Sequence, residues 1–382
     1  MSIKYKLIKK LMEVKPFYQV ANEFDSAGNS LHKYSIAPMM DVTNTHYRTF
    51  ARLLTKKAVL YTEMVHCDTI LMNPDTNRFL HFNLVEKPIV LQLGGCNPEN
   101  LAKAALMGQE YGYTEINLNT GCPSPRVTNG SFGACLMKEP LLVAECLRKM
   151  EEAVDIPVTV KCRLGVDEYD TYEFLTNYID TIAAETKVNH FIIHSRKAFL
   201  KGLNPKENRT VPPLIYERVF QLTKDYPNLS FTINGGIKTL DQVCGLLENN
   251  SLKGCMIGRA AYEDIWHLAD IDRRIYGVNN PGLSRKEVLL KYAEYCEFQM
   301  NNNPKLNYNT LVKPLISLFA SEKGTTYYRR FLSDYSNYNK NNKSFVKLVH
   351  NLIEELENIN PEALSTNFKT LSSSYQTELA NN

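Results

Sequence analysis

The sequence predicts an α/β protein: a (β/α)8 TIM barrel followed by a small all-α C-terminal domain. Three observations carry this prediction. Eight short apolar, β-rich runs alternate with longer stretches of helical period, polar residues recur at the C-terminal ends of those runs, and no run leads into a GxGxxG loop. Eight strand-helix units imply a parallel sheet covered on both faces, and eight is the number that closes a barrel. A doubly wound open sheet is the alternative. It would string the polar ends along an edge, whereas a barrel gathers them at one mouth.

The elements follow in order. Residues 1–32 form an N-terminal extension whose opening, "MSIKYKLIKKLMEVK", is basic. It lacks Arg and the apolar core of a secretory signal, so an organelle-targeting segment and a solvated terminal helix both fit, and a cytoplasmic protein is the expectation. The barrel occupies 33–282. Its strand-like runs are "YSIAPM" (34–39), "AVLYTEMV" (58–65), "PIVLQLGG" (88–95), "TEINLNTG" (114–121), "IPVTVKCRLG" (156–165), "NHFIIHSR" (189–196), "LSFTINGGI" (229–237) and "GCMIGRA" (254–260). Stretches such as "PENLAKAALMGQEYG" and "PLLVAECLRKMEEAV" lie between them, with apolar residues at three- and four-residue steps. The turn-rich "GVNNPGLS" closes the barrel. A small helical domain is expected over 283–360, and a disordered tail over 361–382.

The chain has 382 residues, 44% of them hydrophobic and 22% charged, enough for a large core. No run is long and apolar enough to cross a membrane. Nine cysteines are scattered without CxxC pairs or histidines at metal-ligand spacing, which fits a reducing compartment and no structural zinc; no metal and a monomer are the expectations. Net charge is +3, but between Arg285 and Lys347 eleven Lys/Arg face five Asp/Glu. This basic segment reads either as a surface for a polyanion or as a solvated helical face.

The expected mouth carries the chemistry. Gly235 and Gly236 in "TINGGI", and Gly258 with Arg259 in "MIGRA", end the seventh and eighth strands. Glycines there admit a phosphate to the backbone N–H groups, and Arg259 adds a charge-assisted contact. Taken alone, the glycine pair could be an ordinary tight turn. Lys161, Arg163 and His194 end strands five and six, and a cationic group in such a place calls for an anionic partner. A flavin ring supplies one, and Gln92 offers donor and acceptor to its pyrimidine edge. One phosphate clamp, one ring clamp and no dinucleotide fingerprint read as an FMN site.

Two cysteines lie in "NLNTGCPSPRVTNGSFGACLM" (117–137), and at this point either could be chemistry or packing. The chain between them reads as a mobile loop. Together with "APMMDVT" (37–43), "QLGG" (92–95), "VKCRLG" (160–165), "HSRKAFLKGLNPKENR" (194–209), "NGGI" (234–237), "GRAAY" (258–262) and "VKPLISLFASEKGTTYYRRFLS" (312–333), this block closely resembles the tRNA-dihydrouridine synthases, and among them the bacterial DusA-type subfamily. The resemblance covers about residues 33 to 350.

That resemblance implies an FMN-binding barrel with a helical tRNA-binding domain. It implies FMN reduced by NADPH, hydride delivery to C6 of a uridine, and a cysteine that protonates C5; NADH remains open, because no nicotinamide fingerprint is visible. The general acid corresponds to Cys122, a thiol able to donate a proton. Cys135, at the start of a helical pattern, then reads as a small packing residue. Pro38, Met39, Gln92, Lys161, His194, Asn234, Gly235, Gly236, Gly258 and Arg259 correspond to flavin contacts. Asn119 corresponds to a residue touching the substrate nucleotide. Lys197, Lys206, Arg209, Arg329 and Arg330 correspond to tRNA-contacting positions, although each alone also fits a solvated charge. The subfamily implies uridines 20 and 20a of the unpaired D-loop, where extracting a base costs least. Two rival readings keep the same fold: an FMN enzyme acting on a free pyrimidine, and a non-catalytic tRNA-binding protein.

Overall fold

A computed structural model describes residues 31–128 and 130–368; the rest of the expected N-terminal extension and the last part of the tail lie outside the described residues. Eight parallel strands form the barrel: β1 Tyr34–Ile36, β2 Val59–Tyr61, β3 Ile89–Gly94, β4 Glu115–Asn119, β5 Val158–Arg163, β6 His190–His194, β7 Ser230–Asn234 and β8 Gly254–Ile257. Each pairs with the next, β1 pairs with β8 through Ser35 opposite Met256, and β2 with β3 through Leu60 opposite Ile89. The ring is therefore closed and has no edge to protect. A two-residue strand, Val65–His66, adds to the top of β3.

Every run expected to be a strand contains one, but the first is shorter than its apolar pattern. β1 stops at Ile36 because Pro38 lacks the N–H needed to continue the ladder. Six helices cover the outside: α1 Thr45–Leu54, α2 Pro98–Tyr111, α3 Pro140–Ala153, α4 Tyr172–Glu185, α5 Tyr216–Asp225 and α6 Leu240–Asn249. Local chemistry fixes their starts. Asn44 caps α1, Asn97 with Pro98 opens α2, Thr171 caps α4, and Thr239 forms a reciprocal capping box with Gln242 on α6. α2 ends at Gly112, whose φ of 92° is the left-handed conformation of a helix C-cap.

Two apolar regions result. The larger lies between sheet and helices and continues into the C-terminal domain. The smaller lies inside the barrel, where Ala37, Val59, Tyr61, Val90, Ile192 and Met256 pack together. The rest of the barrel interior is polar, and that half positions the site.

The C-terminal domain begins at α7, Arg285–Asn302, where Ser284 and Glu287 form a second capping box. Helices α8 Thr325–Ser333 and α9 Phe345–Ile359 follow. Its core is aromatic, with the Tyr308 ring stacked on Phe345 at 5.2 Å and tilted against Tyr338 at 4.9 Å. Phe50 of α1 meets Tyr292 of α7 edge-on at 4.8 Å, which joins the domain to the barrel. At the same joint the Arg285 guanidinium lies 4.3 Å over Trp266 and pairs with Glu322 at 2.7 Å.

The expected boundary at 360 falls too early. Pro361–Ser365 is helical with Ala363 and Leu364 buried, and Phe368 packs on Trp266 at 5.8 Å, so this part of the expected tail belongs to the fold. The short turn of apolar residues was hidden by the polar, Asn- and Glu-rich sequence around it. Among the described residues, no helix is long and apolar enough to cross a membrane.

Candidate active site

The C-terminal ends of the strands converge on one mouth, as in other barrels of this type. β4 builds its centre. Glu115, Asn117 and Asn119 alternate along the strand, and all three are buried. They belong to a chain of hydrogen bonds running down the barrel interior. Asn119 Nδ2 donates to Gln92 Oε1 at 2.9 Å, Gln92 Nε2 to Asn117 Oδ1 at 2.8 Å, Asn117 Nδ2 to Thr159 Oγ1 at 2.9 Å, and Thr159 Oγ1 to Glu115 Oε1 at 2.6 Å. Each group is satisfied by its neighbour, as burial demands.

At the top of this rod, Asn119 Oδ1 accepts the backbone N–H groups of Gly121 at 3.2 Å and Cys122 at 3.0 Å. The Cys122 carbonyl accepts the N–H of Ala134 at 2.9 Å. Gly133 permits that approach: its φ is 74°, and a Cβ there would sit 2.6 Å from the Cys122 oxygen. Cys122 is therefore held on both sides of its own backbone, and a loop that swings the cysteine freely is not what the geometry provides. Its thiol is partly buried and free. Cys135 is also only partly buried, in a 3-10 turn over Gly133–Lys138, and its Sγ donates to the Phe132 carbonyl at 3.1 Å. Burial pushes its thiol up from the ordinary range.

Lys161, at the end of β5, has its Nζ 3.1 Å from Asn234 Oδ1, while Asn234 Nδ2 donates to the Met256 carbonyl at 2.7 Å. Burial, reinforced by the neighbouring Arg163, lowers the ammonium to about 8. Burial likewise drives His194 well below its ordinary value, helped by Arg163, Lys161, Arg196 and Arg209, so the imidazole is neutral. Its Nδ1 is buried without a hydrogen-bond partner.

Arg163 differs from expectation. Its guanidinium donates to the carbonyls of Gly121 at 2.9 Å, Lys197 at 3.1 Å and Asn208 at 3.0 Å. Two loops, the one after β4 and two points of the long one after β6, are tied to one side chain, and backbone oxygens take the place of the anionic partner expected for it. The fixed fork of donors is what lets arginine do this.

Gly235 and Gly236 have φ of 114° and 71°, and a Cβ on Gly236 would fall 2.4 Å from Leu214 Cδ1. Only glycine fits there without strain. Gly258 is different: a Cβ would meet Ala37 and Met39 at 3.8 and 3.9 Å, which is ordinary contact. It brings the end of β8 beside Pro38 and Met39 at the end of β1, where Met39 is fixed by its N–H to Thr43 Oγ1 at 3.0 Å. Arg259 is exposed and reaches the Arg209 carbonyl at 3.3 Å.

Among the described residues, no carboxylate pairs with Lys161, Arg196, Arg209 or Arg259. The unpartnered His194 nitrogen, a Lys161 cation answered only by an amide, and two glycines at positive φ suit a bound anion with a hydrogen-bonding ring. These residues fit FMN on their own chemistry.

The expected RNA-facing cations are more dispersed. Lys197 is tied to Asp170 at 2.8 Å and lies over Phe199, whereas Lys206 and Arg209 are exposed on the loop after β6. Arg329 and Arg330 are exposed on α8, with Arg329 Nε 3.3 Å from the Ile316 carbonyl. Sequence reasoning missed the roles of Asn117, Thr159 and Glu115. The signal was present in "TEINLNTG", where three polar residues recur at the two-residue period of one strand face.

The family model for dihydrouridine synthase matches residues 35–356. The chain belongs to the dihydrouridine synthase family. It is 47% identical over 333 residues to the tRNA-dihydrouridine(20/20a) synthase of Shewanella oneidensis, an alignment covering 87% of this chain and 97% of the relative. Proteins with the same name are similar to it in Vibrio parahaemolyticus, 47% identical with 79% and 91% covered, and in Synechocystis, 47% identical with 81% and 90% covered. The matched segment takes in every mouth residue described above, from Pro38 to Arg259, and the helical domain through α8.

Proposed function

We propose that this protein reduces the C5–C6 double bond of uridine in the D-loop of tRNA, using FMN and NADPH, with Cys122 as the proton donor. Family membership supports the reaction class, and the names of its relatives point to positions 20 and 20a. The observation that carries the reading is the mouth itself: a free thiol fixed through its backbone beside a cluster of cations with no carboxylate among the described residues to answer it.

Gly235, Gly236, Gly258 and Arg259 would hold the FMN phosphate. Lys161, His194, Asn234 and Gln92, with the backbone at Pro38 and Met39, would hold its ring. When bound, FMN supplies the hydride that uridine receives at C6. Cys122 Sγ gives its proton to C5, so one hydride and one proton complete the reduction. Asn119 sets where that thiol stands, since its Oδ1 holds the Cys122 N–H. The Lys161 cation compensates negative charge that accumulates on the ring side of the mouth. A uracil reaches this depth only if it is extracted from the RNA, which favours an unpaired loop. Lys197, Lys206, Arg209, Arg329 and Arg330 would then position the tRNA through its phosphates.

The test is direct. Purified protein with FMN and NADPH is incubated with tRNA lacking dihydrouridine, and the product is mapped by position. Dihydrouridine at 20 and 20a is the expected outcome; its absence while bound flavin is being reduced refutes the reading.

A further inference from the structure

At the opposite end of the barrel three potential metal ligands meet, and only Glu115 among them also belongs to the hydrogen-bonded rod below the mouth. His32 lies in the turn before β1, Glu115 opens β4 and His190 opens β6. Their ligand atoms all lie within 4.8 Å of one another, and His32 Nε2 is 2.9 Å from Glu115 Oε2. We propose that His32, Glu115 and His190 form a binding site for a divalent first-row transition metal at the barrel floor, with zinc the ion that best suits this donor set.

The position of each ligand is fixed independently of a metal. The His32 carbonyl presses onto β8, where a Cβ on Gly254 would fall 1.6 Å from it. Only a glycine lets the His32 turn sit so close. Thr159 Oγ1 holds the other Glu115 oxygen at 2.6 Å, and Thr232 Oγ1 lies 2.8 Å from His190 Nε2. Such outer partners are what orient ligating side chains in metal sites. The two imidazoles meet edge-to-face at 4.6 Å between centroids, which brings two nitrogen donors and one carboxylate to one place.

Two imidazoles and a carboxylate, with water as a fourth ligand, satisfy a four-coordinate zinc ion, whose bonds to such donors are about 2.0–2.2 Å. Magnesium and calcium prefer sites built of oxygen alone. Access is provided from below, because the His32 side chain remains 12% exposed. The floor lies roughly 13 Å beneath Asn119, four residues further along β4 at the usual rise of a strand. An ion there would brace the barrel without touching uridine chemistry. No spacing motif announces this trio, since its members lie on three distant segments of the chain.

The experiment uses the full-length holoenzyme, stripped with a chelator and dialysed against zinc chloride. Bound zinc is measured by elemental analysis in the wild type, His32→Gln, His190→Leu and Cys67→Ser. The last variant removes a sulfur from the other potential ligand group among the described residues, His66, Cys67 and Asp68. The expected result is one tight equivalent that both histidine variants bind at least tenfold more weakly and Cys67→Ser retains. Zinc, but not magnesium, should also raise the thermal midpoint of the wild type. Zinc-edge X-ray absorption on the wild type checks the site without relying on variant folding. Nitrogen and oxygen neighbours with imidazole scattering support it, and a sulfur shell overturns it. No tight equivalent in the wild type, or one that survives in both histidine variants or disappears with Cys67→Ser, also overturns it, leaving His32 and Glu115 as a close polar contact.

Discussion

The Cys122 N–H is held by Asn119 Oδ1 at 3.0 Å, so the cysteine's place at the mouth is set from inside the barrel. Asn119 is itself fixed by Gln92. Replacing Asn119 by Ala removes both links while leaving the thiol in the chain. Uridine turnover should fall about a hundredfold, the usual consequence of displacing a reacting group by an ångström, while flavin absorbance stays close to wild type. Unchanged turnover would show that the loop places Cys122 without help.

The two cysteines of the segment should separate cleanly. Cys122→Ala should retain FMN and lose most dihydrouridine formation, whereas Cys135→Ala should keep it, because the Cys135 thiol is spent on the Phe132 carbonyl. Single-turnover assays on both variants decide this. The opposite pattern would transfer the acid's role to Cys135.

Lys161 should leave a signature in the pH dependence of stability. Its ammonium is lowered to about 8 in the folded protein and returns to the ordinary lysine range on unfolding. Between those values the unfolded chain binds more protons, so stability rises with pH there. The rise should be about 3 kcal/mol in flavin-free protein, and Lys161→Met should lack it. At neutral pH the variant should be the more stable flavin-free protein, yet bind FMN poorly. Chemical denaturation across the pH range supplies the measurement; parallel curves for both proteins would contradict the assignment.

Arg163 holds the carbonyls of Gly121, Lys197 and Asn208 together. Arg163→Gln strands at least two of them, and the expected loss is roughly 2 to 4 kcal/mol by urea denaturation. Arg163→Lys should recover only part of it, because an ammonium cannot reproduce the guanidinium fork. A loss below about 0.5 kcal/mol, the range of ordinary surface changes, would mean the two loops hold themselves.

For the RNA surface, Lys206→Ala with Arg330→Ala should weaken tRNA binding and lower the slope of log affinity against log salt by about one per cation removed. Flavin content should not change. Lys197→Ala should have the smaller effect of the single variants, since Asp170 already neutralises that charge.

The barrel was legible because its signals are local: eight runs of strand length, with polar residues at their ends. The left-handed pair at Gly235 and Gly236 could likewise be anticipated from consecutive glycines at a strand terminus. Arg163 could not, because its residue type announces a cation while its partners are main-chain oxygens, which sequence does not mark. His32 shows a second limit. Its meaning depends on Glu115 and His190, and only closure of the barrel brings those three segments to one floor. The helix at Pro361–Ser365 shows a third, since five residues are too few for a period to declare itself.

The hydrogen-bonded rod inside the barrel has a sense of direction. From Asn119 down to Thr159 each member gives its hydrogen to the one below and takes one from above, and the Glu115 carboxylate at the bottom only accepts. A lone replacement anywhere along it leaves one neighbour with a spare hydrogen and another with a spare lone pair, in a place water does not reach. Asn119, Gln92, Asn117, Thr159 and Glu115 thus form a single heritable unit, and drift can alter it only by coordinated exchange of several members.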